Sequence, residues 1–445
     1  MQEETNIPER ISNWMKHSIT LKLISITVLI LLLLIPSSMI QTIIQERETL
    51  GQEVLKEVNS KWANAQLIKG PILSIPMVYE VEKDEKPTEL IRYLNILPED
   101  LEISGKVSPQ QLKRGIYELV VYKSDLNLSG TFSVNHKIDR HQLKEIKWEE
   151  AFLTIGISDL RGIKDNIEVL WNDQKIKAEP GSKIREIVPS GVTVNLPDLI
   201  NSDMKVIHFA FKLDLQGSEN LSFIPLGRTT NVNITSDWNS PSFNGNFLPN
   251  RRDISESSFS ASWKILELNR NFPQSWIGNQ YSNPLNEAAF GVDLILPLDD
   301  YQKSMRSAKY AILTIALTFL IFFLVEVMHG RKIHAFQYTL VGLSLCLFYV
   351  LLISISEHSN FNLAYGISTV AIISMISLYS LSVFRVRRIS GLLVAVLCGV
   401  YGFVFVTLQL EDYALLLGAI GLTVILGATM YFTRNVDWYQ LKTES

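Results

Sequence analysis

Residues 23–40 read LISITVLILLLLIPSSMI, without a single charge. A run of that length reaches the roughly 18 to 20 apolar residues that carry a helix across a bilayer. Lys22, Lys16 and Arg10 form a basic flank before it. A secretory signal peptide has the same outline, but IPSSMIQ is a poor cleavage site. The residues that follow also keep a helical period, with Ile40, Ile43, Ile44, Arg47, Val54, Leu55, Val58 and Trp62 at three- and four-residue spacing. The stretch therefore predicts an uncleaved anchor over 23–40 that continues as a helical stalk over 41–66.

Moving outward, comparable runs appear only towards the C-terminus, at 307–328, 336–355, 362–383, 390–409 and 413–432. Their short connections force neighbouring helices antiparallel. The predicted plan is a membrane protein with six transmembrane helices in all. An N-terminal cytoplasmic segment (1–22) and the anchor helix lead to a large, mainly antiparallel β periplasmic domain (67–303). A C-terminal five-helix bundle (307–432) and a cytoplasmic tail (433–445) complete it. At 445 residues, 47% hydrophobic, with mean hydropathy +0.16 and net charge −4, the chain is neither disordered nor an ordinary soluble enzyme. No nucleic-acid partner is expected, whereas membrane lipids are.

Lys and Arg beside the spans set the orientation. Arg331 and Lys332 lie between the second and third spans, Arg385, Arg387 and Arg388 between the fourth and fifth, and Arg434 after the sixth. The opposite turns carry Glu357 with His358 and Glu411 with Asp412. Both termini are thus expected in the cytoplasm. Lys303, Arg306 and Lys309 oppose this, partly offset by Asp299 and Asp300, and are outvoted.

The intervening domain alternates. LNLSGTFSV puts Leu126, Leu128, Phe132 and Val134 on one face, and HFAFKLDL puts Phe209, Phe211, Leu213 and Leu215 on one face. Short alternating stretches with frequent turn residues predict a sandwich or a strongly curved sheet. LNLSG at 126–130 and LDLQG at 213–217 share a spacing, so the domain is either one sandwich with two similar strand ends or two related halves. Cys346 and Cys398 both fall inside predicted spans, which leaves the domain without a disulfide or a thiolate site.

Residues 236–263, SDWNSPSFNGNFLPNRRDISESSFSASW, read as two strands joined by a loop over about 239–257. That exceeds the ~12 to 15 residues beyond which loops are usually functional. Trp238 and Trp263 read as core, while Phe243 and Phe247 are either packed anchors or a contact patch. Arg251 and Arg252 either pair with Asp253 and Glu256 or meet an anionic envelope component. These four residues, Phe243, Phe247, Arg251 and Arg252, form the candidate contact loop.

This stretch, with YQKSMRSAKYAILTIALTFLIFFLVEV (301–327), HAFQYTLVGLSLCLFYVLLISISEHSNF (334–361) and YALLLGAIGLTVILGATMYFTRNVDWY (413–439), resembles the CreD family of bacterial inner-membrane proteins. LLLLIPSSMIQTIIQERE (31–48) and KGPILSIP (69–76) are also similar, so the likeness extends from about Leu23 to Tyr439. It implies an inner-membrane location and a part in cell-envelope integrity, with links to colicin tolerance. It implies no reaction and no catalytic residues.

The residues themselves show no G-x-S-x-G elbow, H-E-x-x-H pair or phosphate loop. No cofactor or metal is expected. His136 and His141, five apart, read as solvated loop residues ahead of a metal pair, and His208 has no ligand spacing. In the membrane block, Glu326 and His329 share a helical face near the cytoplasmic end of the second span. They are either an ion-handling site or, for Glu326, an interfacial carboxylate paired with Lys332. Glu357 and His358, at an outer edge, complete the candidate membrane polar site. No span carries a charge at its centre, which counts against an ion-coupled transporter. Gly418, Gly421 and Gly427 allow close helix packing, and Tyr338, Tyr349, Tyr413, Tyr431, Trp438 and Tyr439 read as an interfacial belt.

The leading expectation is a non-enzymatic envelope protein acting through contacts of its periplasmic domain with a protein, lipid or wall partner. A transporter or channel-like component is the alternative, and an envelope hydrolase the weakest.

Overall fold

The computed structural model describes residues 19–83, 86–133, 143–196, 206–294, 300–329, 333–384, 386–410 and 414–434. Arg10, Lys16, Val134, His136, His141, Asp299, Arg331, Lys332, Arg385, Glu411, Asp412, Tyr413, Trp438 and Tyr439 lie outside them. The chain divides into two compact units, Gln52–Pro297 on one side and Met1–Gly51 with Leu298–Ser445 on the other.

In the Gln52–Pro297 unit, a ten-stranded and an eight-stranded sheet contribute to one continuous core. Most pairings are antiparallel. The exceptions are Gln66–Lys83 beside Asn220–Phe223, and Asp100–Arg114 beside Thr229–Ser236. The centre of the ten-stranded sheet is buried on both faces, as the unbroken burial of Phe152–Ile157 requires. The eight-stranded sheet buries one face only. Along Val206–Ser218, Ile207, Phe209, Phe211, Leu213 and Leu215 point inward, the period of two expected of a strand with one wet side.

The repeated L-x-L-x-G spacing belongs to neighbouring strands of that one sheet. Leu126 pairs with Leu213 and Leu128 with Phe211, which places Gly130 opposite Phe209 and Gly217 opposite Tyr122. A Cβ on Gly130 would sit 2.8 Å from the Phe209 ring, and one on Gly217 would sit 2.4 Å from the Tyr122 hydroxyl. Each glycine makes room for the aromatic across from it.

Helix α1 (Ile19–Trp62) is continuous through Pro36, and its end is tied to the β core by side chains rather than by a glycine cap. Gln216 Nε2 donates to the Trp62 carbonyl (2.7 Å), Ser218 Oγ to Ala63 (2.9 Å) and Ser158 Oγ to Ala65 (2.9 Å). The Asn64 N–H donates to Asp159 Oδ2 at 2.9 Å. Carbonyls left open at a helix C-terminus are thereby satisfied. Arg161 donates twice to Asp159 and holds that carboxyl down at about 2.

After α2 (Ser282–Glu287), the second unit resumes with α3 (Asp300–Lys309), α4 (Ala311–His329), α5 (Ala335–Ser356), α6 (Phe361–Phe384), α7 (Arg387–Gln409) and α8 (Ala414–Thr433). Over its described residues every predicted apolar run is helical apart from a break at Tyr310. Among the described residues, four helices, α1, α5, α6 and α7, are long and apolar enough to cross a membrane. The run at 307–328 is instead a pair, α3 and α4, bent by 40° about Tyr310, and would make a fifth span if it crosses as one. The apolar part of α8, Leu416–Tyr431, is shorter.

Candidate functional sites

The bundle unit packs α1 along a single stripe. Ile26, Leu33, Ser37, Ile40 and Ile44 are buried, while Leu23, Ile24, Val28, Leu31, Leu32, Ile35 and Met39 are exposed. The buried positions recur at three and four residues, as a helix seam must. At Leu33 the approach is so close that a Cβ on Gly342 of α5 would fall 2.2 Å from the leucine methyl. Gly342 is therefore the glycine that packing demands. Of the glycines expected to serve that purpose, Gly421 receives the Phe403 ring, whereas Gly418 and Gly427 face open space among the described residues.

The same stripe ends in charge at both extremes. Lys22 donates to Glu326 on α4, and Arg47 lies 3.5 Å from Glu357 at the end of α5. About 38 Å of helix separates Lys22 from Arg47 at 1.5 Å per residue, slightly more than the ~30 Å hydrocarbon core of a bilayer. Glu326 is 7% exposed and also accepts from the Ile333 N–H (2.9 Å) and the Tyr338 hydroxyl (3.2 Å). A carboxylate so placed is stabilised only because a cation and two further donors meet it.

The expected Lys332 partner lies outside the described residues; among those described, Lys22 makes the contact. Lys22 is 304 residues away in sequence, beyond any local spacing rule. The His329 side chain also lies outside the described residues. His358 is exposed in the turn after α5 and is not brought to Glu326. Tyr338 and Tyr349 are buried in the bundle, and the Tyr338 hydroxyl donates to Glu326.

The 236–263 stretch differs from the single loop expected. Pro241–Gly245 pairs with Phe290–Leu294 at the edge of the ten-stranded sheet, and Arg251–Ile254 pairs with Phe259–Leu266 at the edge of the eight-stranded one. The segment straps the two sheets together. Pro, Asn and Gly conceal such strands in a sequence, because an edge tolerates Pro at its first position and the pairing is supplied by a distant partner.

Phe243 meets Phe259 (5.9 Å) and Trp263 (5.7 Å) edge-on, and Phe247 meets Phe290 edge-on at 6.0 Å. The Trp263 indole N–H donates to the Phe247 carbonyl at 3.1 Å. Both phenylalanines are thus half-buried anchors of the strap. Arg251 and Arg252 remain exposed, and among the described residues neither makes an ion pair with Asp253, Glu256 or any other carboxylate.

Lys69 was not anticipated. Its Nζ donates to the Ile187 carbonyl (2.9 Å) and to Asn286 Oδ1 (2.5 Å), and burial pulls its pKa down to about 8. It lies in the quoted KGPILSIP stretch, where the lone lysine before an apolar strand was the available signal. Among the described residues no group of three His, Cys, Asp or Glu is arranged to hold a metal.

Comparison with known proteins places these features in a family. The model of the family described as "Inner membrane protein CreD" matches residues 18–439. The Inner membrane protein CreD of Escherichia coli (strain K12) is 34% identical over 431 residues, covering 96% of this chain and 95% of that protein. A likeness of that extent embraces α1, the β domain and the bundle alike, and the chain belongs to the CreD family of inner membrane proteins.

Proposed function

We infer that this inner-membrane protein supports cell-envelope integrity without catalysing a reaction, its β domain lying in the periplasm and both termini in the cytoplasm. The domain acts by contact with another envelope component: a protein, a lipid or the wall. The observation that carries this reading is the edge strand Arg251–Ile254, exposed at all four positions. An edge strand offers an open row of main-chain donors and acceptors, which proteins ordinarily cover. Here Arg251 and Arg252 open the strand with charge that no ion pair among the described residues offsets, and Leu248 and Ile254 add exposed apolar surface, a combination suited to strand addition by an anionic partner.

Photo-crosslinking in living cells from positions 248 and 251, with position 175 on the opposite edge strand as control, tests the contact. A partner captured at 248 and 251 but not at 175 is expected. Crosslinks confined to the chain itself, or equal at all three, would remove the edge strand from the account. The orientation has its own test. With Cys346 and Cys398 inside helices, Lys175→Cys should react with an impermeant maleimide in cells whose outer membrane is permeabilised.

A second reading, a transporter or channel-like component, draws on the bundle. The hydroxyls of Ser368, Thr369, Ser390 and Tyr401 are buried there without partners among the described residues. Neighbouring hydroxyls instead bond their own helix, as Thr318 does to Thr314 and Thr407 to Phe403, the ordinary arrangement in apolar surroundings. The contact reading is therefore preferred.

A further inference from the structure

The wet face of the eight-stranded sheet carries a groove of about 750 Å³, within the size range of small-molecule sites. Strand register builds its floor. Lys106, Asp125 and Asp214 pair side by side on three adjacent strands, and Ser108, Lys123 and Gln216 form the next row on the same face. Lys164 joins the first row, its backbone N–H bonded to the Asp214 carbonyl at 3.0 Å. Trp62 forms a wall, fixed by the bond from Gln216 to its carbonyl.

The charges along this groove are unequally matched. Lys212 bridges Asp125 (2.9 Å) and Asp214 (3.4 Å), and Lys106 is paired with Asp237 (2.7 Å). Lys123 and Lys164 make no ion pair among the described residues, and Lys164 stands 6.0 Å over the Trp62 ring. The Trp62 indole N–H is buried and has no acceptor among the described residues. An orphaned buried donor of this kind forfeits the bonds it made to water. A merely solvated lysine face would need neither the concavity nor the half-buried indole.

We propose that this groove binds an anionic saccharide. Its phosphate or carboxylate lies between Lys123 and Lys164, its ring stacks on Trp62, and its hydroxyls donate to the remaining lone pairs of Asp125 and Asp214. The ligand is either a free sugar phosphate or a lipid headgroup with the same chemistry. The site is separate from the Arg251 edge strand and stands without it.

The test is calorimetric titration of the full-length protein in detergent. The probes are glucose 6-phosphate, neutral glucose, and short-chain dihexanoyl phosphatidylinositol, whose headgroup joins a phosphate to a hydroxylated ring. Binding of an anionic probe but not of glucose is expected, weakened about tenfold or more by Lys123→Met or Lys164→Met, retained in Lys123→Arg, and unchanged in Arg251→Ala. Binding of glucose 6-phosphate would assign a soluble source, and binding of the phosphatidylinositol alone a headgroup. The proposal is overturned if neither anionic probe binds better than glucose, or if both lysine-to-methionine variants, melting like the parent, bind as the parent does.

Discussion

In the β domain Lys69 and Arg270 are buried without an ion pair to a carboxylate among the described residues, whereas in the helical bundle Glu326 is buried against Lys22. Lys69 relies on a main-chain carbonyl and an asparagine oxygen. Arg270 reaches the Phe272 and Leu226 carbonyls and lies 4.3 Å over the Phe272 ring. The contrast follows from the backbone around each charge. Irregular segments between strands leave carbonyl oxygens open to a cation. In a bundle nearly every main-chain N–H and carbonyl is already bonded within its helix, so a buried charge needs an opposite charge or a break in the helix. Glu326 uses both, since Ile333, its main-chain donor, lies in the connection between α4 and α5.

Breaking the bundle's charge should cost most. Glu326→Ala leaves the Lys22 ammonium, the Tyr338 hydroxyl and the Ile333 N–H facing one another, a loss of about 3 kcal/mol. Thermal melting in detergent would read it, and the double variant Lys22→Met/Glu326→Leu should recover much of the loss. If the single and double variants melt alike, the ion pair is not what stabilises the carboxylate.

The next effect sharpens the packing side of the comparison. Gly342→Leu places a side chain where Leu33 and Phe319 already meet, and overpacking of this kind costs about 2 kcal/mol. Loss of the α1 contact should show as faster proteolysis between α1 and the β domain, and an unchanged digestion pattern would argue against the seam.

The β domain's charge makes a prediction of similar size through pH. The Lys69 pKa is depressed to about 8 from an ordinary 10.5, so between those values the unfolded chain holds a proton that the folded one has released. Stability should therefore rise as pH increases from about 7.5 to 9.5, by on the order of 2 kcal/mol. Tryptophan fluorescence can follow it, since Trp148, Trp171, Trp238, Trp263 and Trp276 all lie in this domain. Lys69→Met should lose the rise, and a variant that keeps it would assign the pH dependence elsewhere.

Asp159 gives the smallest case, with the same sign in an acid window. With its pKa lowered to about 2 from 3.8 by the Arg161 hydrogen bonds, its contribution is present above pH 3.8 and disappears as pH falls through 2. The exposure of its Arg161 partner to solvent limits that contribution to about 1 kcal/mol. Asp159→Asn should lower stability at neutral pH by that amount and flatten the acid limb of the curve.

The strands that alternate cleanly, such as Val206–Ser218 and Tyr117–Ser133, were legible because one face of their sheet stays in water. The strap over 239–257 was not. Its two strands are four and five residues long, rich in turn formers, and owe their pairing to Phe259–Leu266 and Phe290–Leu294. Glu326 was legible as unusual, since a carboxylate beside an apolar run is costly, but its partner was sought nearby at Lys332. The groove was invisible for the same reason, as Lys123, Lys164 and Trp62 are each ordinary where they stand in the chain.

By itself, then, the sequence determined the apolar helices, the β character and cysteine-free core of the domain between them, and the family. Those are properties of composition and period, which each segment carries alone. Only the tertiary structure decided that Lys22 meets Glu326, that the strap joins two sheets, and that three lysines and a tryptophan line one groove. Each depends on register and packing between segments up to hundreds of residues apart, where hydrogen-bond and charge partners are set by geometry rather than by spacing along the chain.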